Sequence, residues 1–290
     1  VNSAPFGLRG AVVVIRALKS NTEEEIIINI EAVKTQLRSL KLSTAARELD
    51  EVAAKHKAAV SLHWVAELLE REIDARTESG LQKRIKRADF PELRTLEEFD
   101  WKFNPKIDKE KIEDLSKLEF IRNNRIALFL GRPGTGKTHL ALAIGLLAVK
   151  TGLRVYCTSA KSLAYEITLA RAKNNLDVLF KKILSSDLWI VDNWGVVSMG
   201  REIAEEIFDL FDRRKYNSAM ILTSNRDLKE WSEVFPDPVL ANATIDRMFD
   251  RAEIVVFEGK SYRLKGRIEL PEFRAPRVAR KGEVKVLIKP

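Results

Sequence analysis

The eight consecutive residues 131–138 have the composition of a loop that binds a row of phosphates. They read Gly-Arg-Pro-Gly-Thr-Gly-Lys-Thr and match the pattern G-x-x-x-x-G-K-[ST], the P-loop. The glycines let successive backbone amides point at phosphate oxygens, Lys137 would reach the β- and γ-phosphates of ATP, and the Thr138 hydroxyl would bind Mg²⁺. The predicted ATP site consists of Gly131, Arg132, Pro133, Gly134, Thr135, Gly136, Lys137, Thr138 and His139.

A carboxylate that follows a second apolar run completes the predicted metal site. Residues 188–191 are Leu-Trp-Ile-Val, and Asp192 comes directly after them, where it would hold the water shell of Mg²⁺. In ATPases of the additional-strand class the next residue is usually Glu or Asp, which polarises the attacking water. Here it is Asn193, whose amide cannot act as a base. Two interpretations of Asn193 remain equally open. It is a deliberate substitution that traps bound ATP, or it is a natural variant that hydrolyses ATP slowly.

A polar triplet, Thr223-Ser224-Asn225, closes the apolar run 219–222. If this run is the strand beside the Asp192 strand, a polar side chain at its end can hydrogen-bond the γ-phosphate or the attacking water. Such a side chain reports which nucleotide is bound. We therefore predict that Asn225 is a nucleotide sensor.

The elements that must position these residues alternate between short apolar runs and helical segments. Buried strands separated by crossover helices indicate a parallel sheet with helices on both faces. The predicted strands are 126–130, 153–157, 188–191, 219–222 and 253–257. The predicted helices of this region include 137–150, 160–172, 199–215 and 239–250.

The rest of the chain divides into smaller parts. Apolar residues at helical spacing predict a small all-α domain at 31–88, after an N-terminal tail at 1–30. A connecting segment, 89–124, contains Phe99, Trp101 and Phe103, whose alternation predicts an extended strand laid on a core. The predicted ATPase domain is 125–273, and a basic tail occupies 274–290.

Composition excludes several classes of protein. The chain has 290 residues, of which 45% are hydrophobic, so wholesale disorder is excluded. Its one cysteine permits no intrachain disulfide, and its three scattered histidines form no zinc motif, which favours the cytoplasm. The longest apolar stretch, 140–149, is too short for a membrane span. The net charge is +8. Residues 261–290 contribute +6 of it, with nine Lys or Arg against three Asp or Glu.

Taken together, these motifs resemble the IstB-like family of AAA+ ATPases, the transposition helpers of certain insertion sequences, which are related to DnaC-type helicase loaders. The matching segments lie between about residues 37 and 273, and they include 131–140, 188–195, 222–226, 245–247 and 259–265. The resemblance implies a P-loop AAA+ sheet. It also implies that Arg247 is an arginine finger acting on ATP in a neighbouring subunit, and that Arg263 contacts nucleotide in its own subunit. An arginine finger of this kind requires a homo-oligomer.

The resemblance further implies partners. Members of this group build helical or ring assemblies on double-stranded DNA and deliver a target to the transposase of the same element. The basic residues that would contact DNA phosphates are Lys161, Arg171, Lys173, Lys181 and Lys182. Two alternatives remain open: a replicative helicase loader of the DnaC type, and an ATP-binding scaffold with little turnover because of Asn193.

Overall fold

The computed structural model describes residues 30–55, 63–214, 217–226, 228–250 and 252–265. The described residues belong to two compact units, one ending at Gln82 and the other beginning at Lys83. Both predicted tails fall almost entirely outside the described residues: only Ile30 of the first is described, and none of the second. Within the part of the chain that the structure describes, no helix is both long enough and apolar enough to span a membrane.

A five-stranded parallel sheet forms the centre of the larger unit. Its strands are β1 (Ile126–Gly131), β2 (Val155–Ser159), β3 (Leu188–Trp194), β4 (Ala219–Ser224) and β5 (Glu253–Phe257). They are ordered β2-β3-β4-β1-β5, and every pairing is parallel. The extra strand β4 lies between the P-loop strand β1 and the Asp192 strand β3, which is the arrangement of the additional-strand, AAA+ class. The predicted fold class is confirmed.

In the larger unit, helices cover both faces of the sheet. The helices of the described residues are α1 (Ile30–Ser39), α2 (Ser43–Lys55), α3 (His63–Ala88), α4 (Lys109–Ser116), α5 (Glu119–Arg122), α6 (Lys137–Lys150), α7 (Ala160–Ala172), α8 (Leu176–Leu184), α9 (Arg201–Arg214) and α10 (Pro238–Phe249), of which α1, α2 and most of α3 belong to the smaller unit. A 3₁₀ turn, Leu228–Val234, precedes α10, and a second, Tyr262–Leu264, follows β5. The strand face that carries Ile190 packs on α6, whereas the face that carries Trp189 packs under α7 to α10.

Aromatic side chains fill the core on the α7 to α10 face. Trp189, Trp194 and Trp231 are fully buried. The ring of Trp194 meets that of Phe211 edge-on at 5.4 Å and that of Trp231 at 6.3 Å. Edge-to-face pairs of this kind add about 0.5–1.5 kcal/mol to the hydrophobic gain of burial. This packing fixes the ends of β3 and β4, where the predicted site residues lie.

The connecting segment differs from the sequence prediction. Phe99, Trp101 and Phe103 do not form a strand: their backbone amides donate to Leu96, Phe99 and Asp100 in successive turns. The prediction was wrong because rings at alternate positions also pack together in a turn, as Phe99 and Trp101 do at 4.7 Å. The later part of the segment forms two helices, α4 and α5, that the prediction did not include.

The smaller unit contains the predicted helices. Between α1 and α2, Val33, Leu37 and Ala46 form a buried cluster. Beside it, the ammonium group of Lys34 donates to the carboxylates of Asp50 and Glu31, and these bonds raise the lysine pKa above its usual value. The last turn of α3 belongs to the larger unit, where Arg84 Nε donates to the carbonyl of Val149. The predicted boundaries at 88 and 124 stay predictions.

Candidate functional site

The P-loop connects β1 to α6 through glycines that other residues cannot replace. Gly134 and Gly136 have φ values of +77° and +104°, in the region that side chains disfavour. A Cβ atom at Gly134 would lie 2.0 Å from the hydroxyl oxygen of Ser261, and one at Gly136 would lie 2.4 Å from the ring of Phe99. The loop therefore follows its path only with glycine at these two positions. It ends at the N-terminus of α6, whose first amides lack partners inside the helix.

Lys137 is buried in the loop. Only 4% of the residue is exposed, and its ammonium group donates to the carbonyl of Arg132 over 2.6 Å. Burial lowers the lysine pKa to about 8, the charge of Asp192 opposes that shift, and the charge of Arg263 adds to it. A phosphate group bound here would stabilise the charged ammonium. The loop therefore suits an anionic ligand.

Asp192 joins the P-loop helix to two strands. One oxygen of its carboxylate, Oδ1, accepts from the hydroxyl of Thr138 at 2.7 Å and from the hydroxyl of Thr223 at 2.6 Å. The structure thus brings together the two predicted Mg²⁺ ligands, one at the start of α6 and the other on β3. Hydroxyl and carboxylate oxygens are the groups that Mg²⁺ prefers. The residues present therefore fit a magnesium nucleotide.

Asn193 lies at an irregularity between β3 and β4. The strand register shifts between Val191 and Trp194, and Asn193 adopts φ +57°, a left-handed conformation that asparagine tolerates well. Its side-chain amide nitrogen donates to Asp192 Oδ2 at 2.7 Å, and its oxygen accepts from the amide of Asn225 at 3.1 Å. Asp192, Asn193 and Asn225 therefore form one hydrogen-bonded row at the carboxyl edge of the sheet.

Thr223 hydrogen-bonds to this row, although no role was predicted for it. Its hydroxyl donates to Asp192 and accepts from the backbone amide of Asn193 at 3.0 Å. The residue is fully buried on β4. A polar residue directly after a buried apolar run was the available signal, since a buried hydroxyl needs a partner.

Two other predicted nucleotide contacts lie at the edges of the loop. The segment that carries Arg263 is joined to the loop by a hydrogen bond from the Tyr262 amide to the Gly134 carbonyl, 2.8 Å long. The effect of Arg263 on the pKa of Lys137 places its charge near the P-loop. His139 faces the connecting segment instead, because its Nε2 lies 2.8 Å from the carbonyl oxygen of Thr95.

Arg247 lies on α10 and contacts residues of α9 and α10. Its Nε donates to Asp212 at 2.7 Å, a second nitrogen lies 3.4 Å from Asp246, and its guanidinium stacks over the ring of Phe208. None of these partners belongs to the P-loop of the same chain. This placement is compatible with an arginine that acts on a neighbouring copy.

A comparison with protein families identifies the chain. The model of the IstB-like ATP binding protein family matches residues 32–269. The chain belongs to this family. The match includes the P-loop, the row formed by Asp192, Asn193 and Asn225, and both predicted arginines.

Relatives of this IstB-like chain are encoded by insertion sequences. The ATP-binding protein of insertion sequence IS21 from Pseudomonas aeruginosa is 35% identical over 236 residues, which cover 81% of this chain and 89% of the relative. The ATP-binding protein of IS232 from Bacillus thuringiensis subsp. berliner is 34% identical over 237 residues, which cover 81% and 95% of the two chains.

Solved structures give weaker likenesses. AMPPCP-bound DnaA from Aquifex aeolicus has a TM-score of 0.47 and 25% identity, with 59% of this chain and 52% of that chain covered. The DnaC helicase loader has a TM-score of 0.42 and 22% identity, with 50% and 87% covered. Because both scores lie below 0.5, the fold assignment of this IstB-like chain rests on its own sheet order.

The basic residues predicted to contact DNA lie on α7 and α8 and in the turn between them, and their surroundings differ. Lys161 is exposed in the first turn of α7, whereas Arg171 lies in its last turn and forms ion pairs with Glu202 and Glu206 on α9. Lys182 on α8 lies 4.1 Å from the centre of the Tyr156 ring. Lys173 and Lys181 are exposed. Lys161 and Arg171 lie roughly 15 Å apart along their helix at 1.5 Å per residue.

Proposed function

We propose that this chain is an ATP-dependent DNA-binding helper of an insertion sequence. It would assemble on duplex DNA in the cytoplasm and bring a target site to the transposase of the same element. The observation that carries the proposal is the arrangement of Lys137, Thr138 and Asp192 in a chain of the IstB-like family. The names of its relatives, which are ATP-binding proteins of insertion sequences, support the role in transposition.

ATP binding is assigned to the P-loop. The amides of the loop and of the first turn of α6 would hold the phosphates, and Lys137 would contribute its positive charge. Thr138 and Asp192, which share a hydrogen bond, would hold Mg²⁺, Asp192 through water. The metal, when bound, supplies neutralisation of phosphate charge. Asn225 would respond to the presence of the γ-phosphate through its bond to Asn193.

Slow hydrolysis follows from the chemistry of Asn193. Its amide donates to Asp192 and accepts from Asn225, so it orients its neighbours, but it has no basicity with which to take a proton from water. The ATP-bound state would therefore last longer than in a protein with a carboxylate here. This arrangement also favours a second candidate function, an ATP-binding scaffold that assembles on DNA with little turnover.

Assembly on DNA is assigned to two sets of positive charges. Arg247 would reach the nucleotide of the next copy after breaking its ion pair with Asp212, which is partly exposed and therefore weak. Lys161, Lys173 and Lys181 would contact DNA phosphates. Lys182 and Arg171 already have partners within the chain, the Tyr156 ring and Glu202, and would contribute less. Phosphate contacts carry little sequence information, so binding would be non-specific and steeply dependent on salt.

Binding to a labelled DNA duplex tests the proposal. With ATP and Mg²⁺ present, the unsubstituted protein is expected to bind duplex DNA tightly, whereas Lys137→Ala is expected to bind no better with ATP than without it. The matched control is Lys150→Ala, an exposed lysine at the other end of the same helix, which should behave as the unsubstituted protein does. Equal ATP-dependent binding by Lys137→Ala would refute the proposal. Addition of the transposase then distinguishes a helper, which recruits it, from a scaffold.

A further inference from the structure

Asn104 is a buried polar residue that belongs to neither the P-loop nor the sheet. It lies in the connecting segment, before the start of α4 at Lys109, and 4% of its surface is exposed. An amide side chain buried to this extent must hydrogen-bond to offset its lost contacts with water. Its hydrogen-bond partners therefore indicate which parts of the fold it holds together.

Among the described residues, its side chain hydrogen-bonds to two backbone segments. Its oxygen accepts from the amide of Lys260 at 3.0 Å, and its nitrogen donates to the carbonyl of the same residue at 3.1 Å. The side chain thus pairs with Lys260 as a neighbouring strand would. The nitrogen makes a further, longer contact of 3.5 Å with the carbonyl of Thr135 in the P-loop.

The segment 259–263, which Asn104 contacts, packs closely on Asn104 and on the P-loop. A Cβ atom at Gly259 would lie 2.2 Å from the Asn104 oxygen, so the backbone can approach the side chain only because this residue is glycine with φ +132°. Two residues after Lys260, the Tyr262 amide donates to Gly134. Arg263 follows directly and is exposed.

We infer that Asn104 is a positioning residue that holds the 259–263 segment against the P-loop and so places Arg263 for contact with the bound nucleotide. Asn104 itself does not touch the nucleotide in this assignment. It acts through the backbone of Lys260, and its contact with Thr135 fixes the position of the segment relative to the P-loop. The inference deepens the proposed function and rests on it, since it needs ATP in the P-loop.

A double-mutant cycle on ATP affinity tests this coupling. The variants are Asn104→Ala, Arg263→Met and the double variant, with a fluorescent ATP analogue displaced by ATP as the measurement. We expect each single variant to weaken ATP binding roughly tenfold, the effect of losing one or two hydrogen bonds. The double variant is expected to bind within about twofold of Arg263→Met. Removal of Asn104 should have little further effect on ATP affinity when the arginine that it positions is already absent.

Controls separate positioning from stability. Ser186→Ala removes a buried hydroxyl that donates to the Ile183 carbonyl in the turn before β3, and it is expected to keep full ATP affinity. Thermal unfolding without nucleotide verifies that each variant is folded. Where Asn104→Ala does not fold, Gly259→Ala replaces it, since its added methyl group pushes the same contact apart from the other side.

Several results would overturn the inference. One is an unchanged ATP affinity in Asn104→Ala or in Arg263→Met, and another is a double variant whose loss equals the product of the two single losses. Each of these leaves the proposed function standing, because the unsubstituted protein still binds ATP. Failure of the unsubstituted protein to bind ATP would refute the proposed function, and the inference with it.

Discussion

At residue scale, the row formed by Asp192, Asn193 and Asn225 determines what the site can do. Asn193 uses both ends of its amide, one toward each neighbour, and a left-handed backbone holds it in that place. Aspartate has nearly the same shape and also tolerates this backbone conformation. It would bring a second negative charge beside Asp192 and supply a base that asparagine lacks.

We predict that Asn193→Asp hydrolyses ATP faster than the unsubstituted protein in the presence of DNA. A positioned general base is worth roughly 10²- to 10⁴-fold in rate. The measurement is steady-state phosphate release, with Asn193→Ala as the control, since alanine supplies no base. An aspartate variant no faster than the unsubstituted protein would show that position 193 does not limit hydrolysis.

Lys137 gives the site a predicted pH dependence. Its pKa in the nucleotide-free protein is about 8, lowered by burial, and bound phosphate would raise it again. Above about pH 8 the free lysine is neutral, so ATP binding must take up a proton and its affinity should fall by up to about tenfold per pH unit. Below that pH, binding should be nearly constant for this group. Calorimetry in buffers of different ionisation enthalpy measures the proton uptake directly, and its absence at pH 9 would contradict the assignment.

At the scale of elements, the sequence predicted the regions that have strong local signals. The five strands and α6 follow from apolar runs and the glycine motif, although β3 continues three residues beyond the predicted end at 191. The helix α8, nine residues between α7 and β3, was not among the predicted helices. Thr223 and Asn104 were also missed, because their partners are far away in the sequence and meet only through the fold.

Arg214 shows how one side chain holds several elements together. At the end of α9 it is fully buried, and it donates to the carbonyls of Ile183, Ser186 and Ala219. It therefore connects the end of α8, the turn before β3 and the start of β4. Burial lowers its pKa to about 9.

We predict that Arg214→Met lowers the free energy of unfolding by about 3 kcal/mol or more, because three buried carbonyls lose their donor. The adjacent Arg213→Met is the matched control. Arg213 forms an exposed ion pair with Asp209, worth at most about 1 kcal/mol. Urea unfolding measures both, and equal stability of the two variants would refute this role for Arg214.

At the scale of the whole molecule, the proposed activity needs more than one copy. The P-loop and Arg247 lie on different elements, and Arg247 is held by Asp212 within its own chain. A positive charge supplied by a neighbouring copy typically accelerates phosphoryl transfer by about 10³ to 10⁵. The net charge of +8 is concentrated after residue 260, so the proposed contact of the preceding region with DNA would depend on a few placed lysines, repeated in each copy.

We predict complementation between two inactive proteins in the Asn193→Asp background. Lys137→Ala loses its own nucleotide site and Arg247→Ala loses the charge it offers to a neighbour, so each alone should show little DNA-stimulated hydrolysis. Mixed assemblies contain interfaces with both residues intact, and the mixture should recover a substantial part of the rate. No recovery, or full activity of Arg247→Ala alone, would contradict action in trans.

Electron microscopy of the unsubstituted protein with duplex DNA is the sharpest test of ATP-dependent assembly. Ordered assemblies are expected on the duplex when ATP and Mg²⁺ are present, and none when ATP is omitted or when Lys137→Ala is used. Assemblies that form equally well without ATP, or with Lys137→Ala, would contradict ATP-dependent assembly on DNA.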